Sequence, residues 1–212
     1  MYAIRPSRWH LFNLVRIGKV QESQGRICPF LSSSLDKLSD DTLDKVKVIN
    51  EFYESKEGII SEANQPYVDI LPKLASYPAG TLGHALGEFY ARSQFPQLGK
   101  IGAFPAKYIM IHDAHHILID VKPDLQGEID VCAFEGGLAG GKSSTSLLPL
   151  LAQVKAFEYD FDINRVAVAW EIGCQAKPGL LEDWDILNYL WYPLDTLRRE
   201  YCINHERLLS LW

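Results

Sequence analysis

The sequence predicts an all-α fold: a single compact multi-helix domain with a metal site between two antiparallel helices. Three observations lead there. Apolar residues recur at three- and four-residue spacing along most of the chain. No internal repeat, low-complexity tract or linker divides residues 1–212. Histidines and carboxylates concentrate between residues 112 and 128. At 212 residues, 47% hydrophobic and 23% charged, the chain is long enough to bury a core without staples. A net charge of −6 argues against nucleic acid, whose phosphates call for a basic face. No run reaches the ~18–20 apolar residues that cross a bilayer. Cys28, Cys132, Cys174 and Cys202 form no Cys-x-x-Cys pair, so free thiols in a reducing compartment are expected.

Taken in order, the elements begin with a basic segment. Arg5, Arg8, Arg16 and Lys19 precede the first acidic residue, Glu22, and alternate with Trp9, Leu11, Phe12, Leu14, Val15 and Ile17. An organelle presequence, an amphipathic helix on anionic headgroups and a surface helix all fit this pattern. Pro29 and Ser32 to Ser34 read as a loop. Leu43, Val46, Ile49 and Phe52 then mark a helix over 42–54. Tyr77 to Thr81 form a turn with Thr81 as N-cap, opening a helix that places Leu82, Ala85, Leu86, Phe89 and Tyr90 on one side. A further helix over 105–119 starts at Pro105. Pro123 and Asp124 break it, and a new helix runs around 125–134. Residues 163–172 fit either a strand or a buried helix. From Leu180 the pattern is helical, interrupted at Pro193.

The string IHDAHHILID holds three of the six histidines. At about 100° per residue, His112, Asp113 and His116 share one helical face, and His115 lies to the other side of His112. Two imidazoles at i and i+4 beside a carboxylate are convergent ligands for a divalent cation. After the turn at Lys122-Pro123-Asp124, Glu128 climbs back by ~6–8 Å to the level of the histidines. The metal ligands expected are therefore His112, Asp113, His116 and Glu128. The surrounding Ile109, Met110, Ile111, Ile117, Leu118 and Ile119 are apolar, and burying these polar groups without a partner would cost several kcal/mol. Mixed N and O ligands suit zinc, iron or manganese, with magnesium a further candidate.

The string HDAHHILIDVKPDLQGE resembles the HDxxHx11E signature of the ubiquinone (coenzyme Q) biosynthesis family, the fourth of the Coq series. YPAGTLGHALGEFYARSQF and YPLDTLRREYCI resemble that family's turn-and-helix and its terminal helix, so the likeness spans roughly 46–205, leaving 1–40 divergent. The resemblance implies a helical protein that binds a divalent metal, zinc foremost, and a prenylated lipid. It implies the same four ligands, His112, Asp113, His116 and Glu128. It also implies peripheral membrane association, other quinone-biosynthesis proteins as partners, and a homodimer. The implied location is cytoplasmic or membrane-peripheral in bacteria, and the matrix side of the mitochondrial inner membrane in eukaryotes. The implied reaction is oxidative decarboxylation at C1 of a prenylated hydroxybenzoate, for which an unbound Asp113 would be the catalytic base. The alternative is a non-catalytic lipid-binding scaffold.

Gly136-x-x-x-x-Gly141-Lys142-Ser143 also matches a phosphate-binding loop, with Gly141, Lys142 and Ser143 as nucleotide contacts. Too few residues follow for a parallel sheet, and Pro149 interrupts the helix that such a loop needs. Gly136, Gly137, Gly140 and Gly141 are instead expected to end a helix and connect it. HD-type phosphohydrolases share His-Asp, but not His-Asp-x-x-His. Trp170, Trp184, Tyr189, Trp191 and Tyr192 suit core packing, an isoprenoid tunnel or a dimer face. His10, His84 and His205 carry no evident partner.

Overall fold

The computed structural model describes residues 65–92, 106–140, 161–181 and 183–211. Among these the regular structure is helical: α1 (Gln65–Asp69), a 3-10 turn (Leu71–Ser76), α2 (Leu82–Arg92), α3 (Ala106–Leu118), α4 (Leu125–Leu138), α5 (Ile163–Gln175), a second 3-10 turn (Ile186–Tyr189), α6 (Leu194–Glu200) and α7 (Glu206–Leu209). The expected all-α class is therefore found. The basic N-terminal stretch, the helix expected over 42–54, and Gly141, Lys142 and Ser143 lie outside the described residues. No helix among the described residues is long and apolar enough to cross a membrane.

The centre of the fold is α3. Ile109, Met110, Ile111, Ala114 and Leu118 are buried on it, and so are His112, Asp113, His115 and His116. A helix covered all round needs neighbours on every side. It has them in α1, α2, α4, α6 and the second 3-10 turn. Its C-terminus closes in a Schellman motif: Val121 N donates to the His116 carbonyl at 2.9 Å and Asp120 N to the Ile117 carbonyl at 3.3 Å, with Asp120 at φ 57°. Arg198 adds hydrogen bonds to the carbonyls of Leu118 (3.0 Å) and Ile117 (2.9 Å), so a cation on α6 caps α3.

Asp124 caps α4, accepting from Gly127 N at 2.9 Å. Gly127 is needed there because a Cβ would collide with the Lys122 carbonyl. The turn thus folds α4 back along α3, as Pro123 and Asp124 indicated. The cap Thr81 holds too: its Oγ1 accepts from His84 N at 3.3 Å.

Residues 163–175 are helix, not strand, which resolves that ambiguity. The reason lies in how α5 meets α4. A Cβ on Gly137 would strike the Trp170 carbonyl, and one on Gly173 the Phe134 carbonyl. The two backbones approach closely through these glycines, giving α5 a surface to pack on. Gly136 and Gly137 therefore lie inside α4 rather than ending it, while Gly140, at φ 69°, acts as a turn residue, and Gly141 lies outside the described residues. The residues preceding the phosphate-loop pattern, Ile129 to Phe134, are likewise helical, not the strand such a loop follows. Behind this interface Arg165 of α5 grips Asp130 of α4 (Nε 3.1 Å, Nη2 2.6 Å), both buried. Burial pushes the Asp130 carboxyl up to about 6, with the Gln126 and Arg165 contacts lowering it only in part.

The continuous helix expected from Leu180 does not form. Leu180, Leu181 and Asp183 to Asp185 are irregular, followed by one 3-10 turn and, after Pro193, by α6. Leu180 and Trp184 are both drawn into the core, and the Leu180 carbonyl is taken by a side chain of α3. Tertiary partners here outweigh helical propensity.

Candidate metal centre

The site is built from α3 and α4. On α3, His112 and His116 stand one turn apart with their ring centroids at 5.1 Å. The hairpin brings Glu128, in the first turn of α4, between them. Its Oε2 lies 3.1 Å from His112 Nε2 and its Oε1 3.3 Å from His116 Nε2. Candidate ligand atoms of these three residues all fall within 4.8 Å of one another, and all three residues are 0% exposed. Neither ring nitrogen of His116 makes a hydrogen bond. Phe89 of α2 lies against the His116 ring at 5.6 Å, bringing an aromatic face to that side.

Three of the four expected ligands therefore converge. Asp113 is buried on the same helix but lies outside the group. His115 is outside it as well, to the other side of His112 as its angular position indicated. There it contacts Glu135 at 2.8 Å through Nδ1 and the Leu180 carbonyl at 2.9 Å through Nε2. Its ring lies parallel to Trp184, centroids 6.2 Å apart, and edge-on to Phe134.

Sequence reasoning missed Glu135. Its Oε1 also meets His112 Nδ1 at 3.0 Å, so one carboxylate serves two imidazoles. Burial alone would raise its carboxyl, but the charges and hydrogen bonds of His112 and His115 outweigh burial. They hold it well below the usual carboxylate range. A signal was present: Glu135 follows Glu128 by seven residues, about two helical turns, which places both on one face.

The aromatic residues of the C-terminal third divide. Trp184, Tyr189, Tyr192 and Tyr201 form a chain of ring contacts at 5.2–6.4 Å. Trp170 instead lies against Gly136, and the exposed Trp191 pairs with Tyr77. His84 approaches Glu88 at 3.8 Å, and His205 borders the turn into α7.

No protein-family profile and no curated protein matches this chain. Among solved structures, a crystal structure from Nostoc punctiforme PCC 73102 of a "Putative ubiquinone biosynthesis protein" matches at 18% identity. It covers 92% of this chain and 97% of that one, with a TM-score of 0.40. The chemistry proposed below rests on the geometry of the site itself and on its sequence motif.

Proposed function

We propose that this chain is a divalent-metal-binding protein of ubiquinone-type quinone biosynthesis, with His112, His116 and Glu128 as the ligands. The observation that carries the metal reading is the burial of two imidazoles and a carboxylate aimed at one point, with both ring nitrogens of His116 unsatisfied. An unsatisfied buried polar group costs about 1–3 kcal/mol, and a coordinated cation removes that cost. The donor set of two nitrogens and a carboxylate fits zinc, iron or manganese.

The quinone reading is supported by the HDxxHx11E motif, whose His112, His116 and Glu128 are the residues that converge. Three protein ligands would leave a position open, the arrangement of catalytic rather than structural zinc sites. When bound, such an ion acts as a Lewis acid on a substrate oxygen. The substrate proposed is a prenylated hydroxybenzoate losing its C1 carboxylate. Asp113, one residue from His112 and buried, is proposed either as a fourth ligand or as the proton acceptor. A prenyl lipid, other quinone-biosynthesis proteins, a membrane surface and a second copy of the chain complete the proposed partners.

The complete burial of the three ligands favours a second reading, a non-catalytic scaffold whose ion serves the fold or anchors a lipid head. Incubating metal-loaded protein with a prenylated hydroxybenzoate under air, followed by mass spectrometry, separates the two. Loss of the carboxylate supports the enzyme; unchanged substrate that remains bound supports the scaffold. Asp113→Asn tells its two roles apart, because metal loss marks a ligand and retained metal with lost turnover marks a base.

A further inference from the structure

We infer that Glu135 is a positioning residue of the metal centre, fixing through His112 Nδ1 the tautomer that leaves Nε2 free to hold the ion. The inference rests on the reading of His112, His116 and Glu128 as ligands and assigns a role to a residue outside that set. An ionised carboxylate only accepts hydrogen bonds. Glu135 Oε1 lies 3.0 Å from His112 Nδ1, a geometry in which the imidazole proton is assigned to Nδ1 as donor. The Nε2 lone pair is then the one available on the side of Glu128. A metal-ligating histidine whose other nitrogen donates to a carboxylate has both its ring orientation and its basicity set by that partner.

The rest of the arrangement holds Glu135 in place. The Leu180 carbonyl accepts from His115 Nε2 at 2.9 Å, and His115 Nδ1 lies 2.8 Å from Glu135 Oε1. Both ring nitrogens of His115 are thus engaged, one by Glu135 and the other by the Leu180 carbonyl. His115 ties the carboxylate to the Leu180–Trp184 segment, with Trp184 parallel to its face. The chain of contacts runs from the Leu180 backbone through His115 and Glu135 to His112. Glu135 is 2% exposed, so solvent does not compete for it. A purely structural Glu135, paired with His115 alone, would leave the His112 tautomer to Glu128.

The test titrates zinc ion into wild-type protein, Glu135→Gln and His116→Ala, using a competing chelator, and records nitrogen NMR of the imidazoles in zinc-loaded wild type. Glu135→Gln keeps the size of the side chain but cannot accept from both rings with a full charge. We expect it to bind zinc about ten- to hundredfold more weakly, with unchanged stoichiometry at saturation. His112 in the wild type should show a protonated Nδ1 and a metallated Nε2. Equal zinc affinity of wild type and Glu135→Gln, or a His112 protonated at Nε2 in the zinc form, overturns the inference while leaving the ligand set standing. A wild type that binds no zinc, or a His116→Ala that binds it as tightly, overturns the ligand set and the inference with it. The NMR readout needs only the wild type, so a poorly folding variant does not block the test.

Discussion

Glu128 and Glu135, seven residues apart on α4, hold opposite nitrogens of one imidazole. Glu128 Oε2 lies 3.1 Å from His112 Nε2, and Glu135 Oε1 lies 3.0 Å from Nδ1. The two carboxylates divide the work: the first converges with His116 on a shared point, and the second faces away toward His115 and the core. The register of α3 against α4 therefore sets the site, and whatever fixes that register fixes the ligand geometry.

That register depends on the approach of α4 to α5. Gly137→Ala should lower stability by about 1–3 kcal/mol or more, because the added methyl meets the Trp170 carbonyl and the Cys174 backbone rather than a movable side chain. Thermal unfolding checks it, and zinc affinity should fall in parallel as α4 shifts. A variant as stable as wild type would show that α4 and α5 are not in close contact.

Arg165→Met should be destabilising by about 3–5 kcal/mol near neutral pH, leaving the Asp130 carboxylate buried without its cation. The pH dependence has a definite sign. Burial already raises Asp130 from 3.8 to about 6, and removing Arg165 raises it further. A carboxyl with a raised folded-state pKa favours the folded state at low pH and loses that contribution as pH rises through the raised value. The deficit of the variant should therefore be largest above pH 6 and shrink on acidification. Denaturant titrations at several pH values, on metal-free protein, measure it.

Trp184→Ala should cost about 3–5 kcal/mol, since Trp184 is 1% exposed and packs against His115, Tyr189 and Tyr201. Trp184→Phe should cost much less, because the indole nitrogen has no hydrogen-bond partner to lose. Chemical denaturation of the two variants distinguishes ring packing from polar anchoring.

How much of this was legible in the sequence follows from the range of the forces involved. His112, His116 and Glu128 could be brought together on paper because helical periodicity and a short turn at Pro123-Asp124 are local. The caps at Thr81 and Asp124 were equally local, although only Thr81 was anticipated as one. Glu135 escaped because it sits between Phe134 and Gly136 in an apolar run. Its partners His112 and His115 lie on another helix. The glycines at 136 and 137 read as breakers until Trp170 and Gly173 supplied the surface they fit. The segment from Leu180 reads as a helix by propensity and is pulled out of it by Trp184 entering the core and by His115 taking the Leu180 carbonyl. Each of these misreadings concerns a residue whose partner is distant in sequence.

The most direct measurement is equilibrium dialysis against zinc with metal analysis, for wild type and for His116→Ala verified as helical by circular dichroism. His116 makes no hydrogen bond through its ring, so the substitution breaks none. The account predicts one ion held per wild-type chain and loss of tight binding in the variant. Equal zinc content in the two proteins would contradict it.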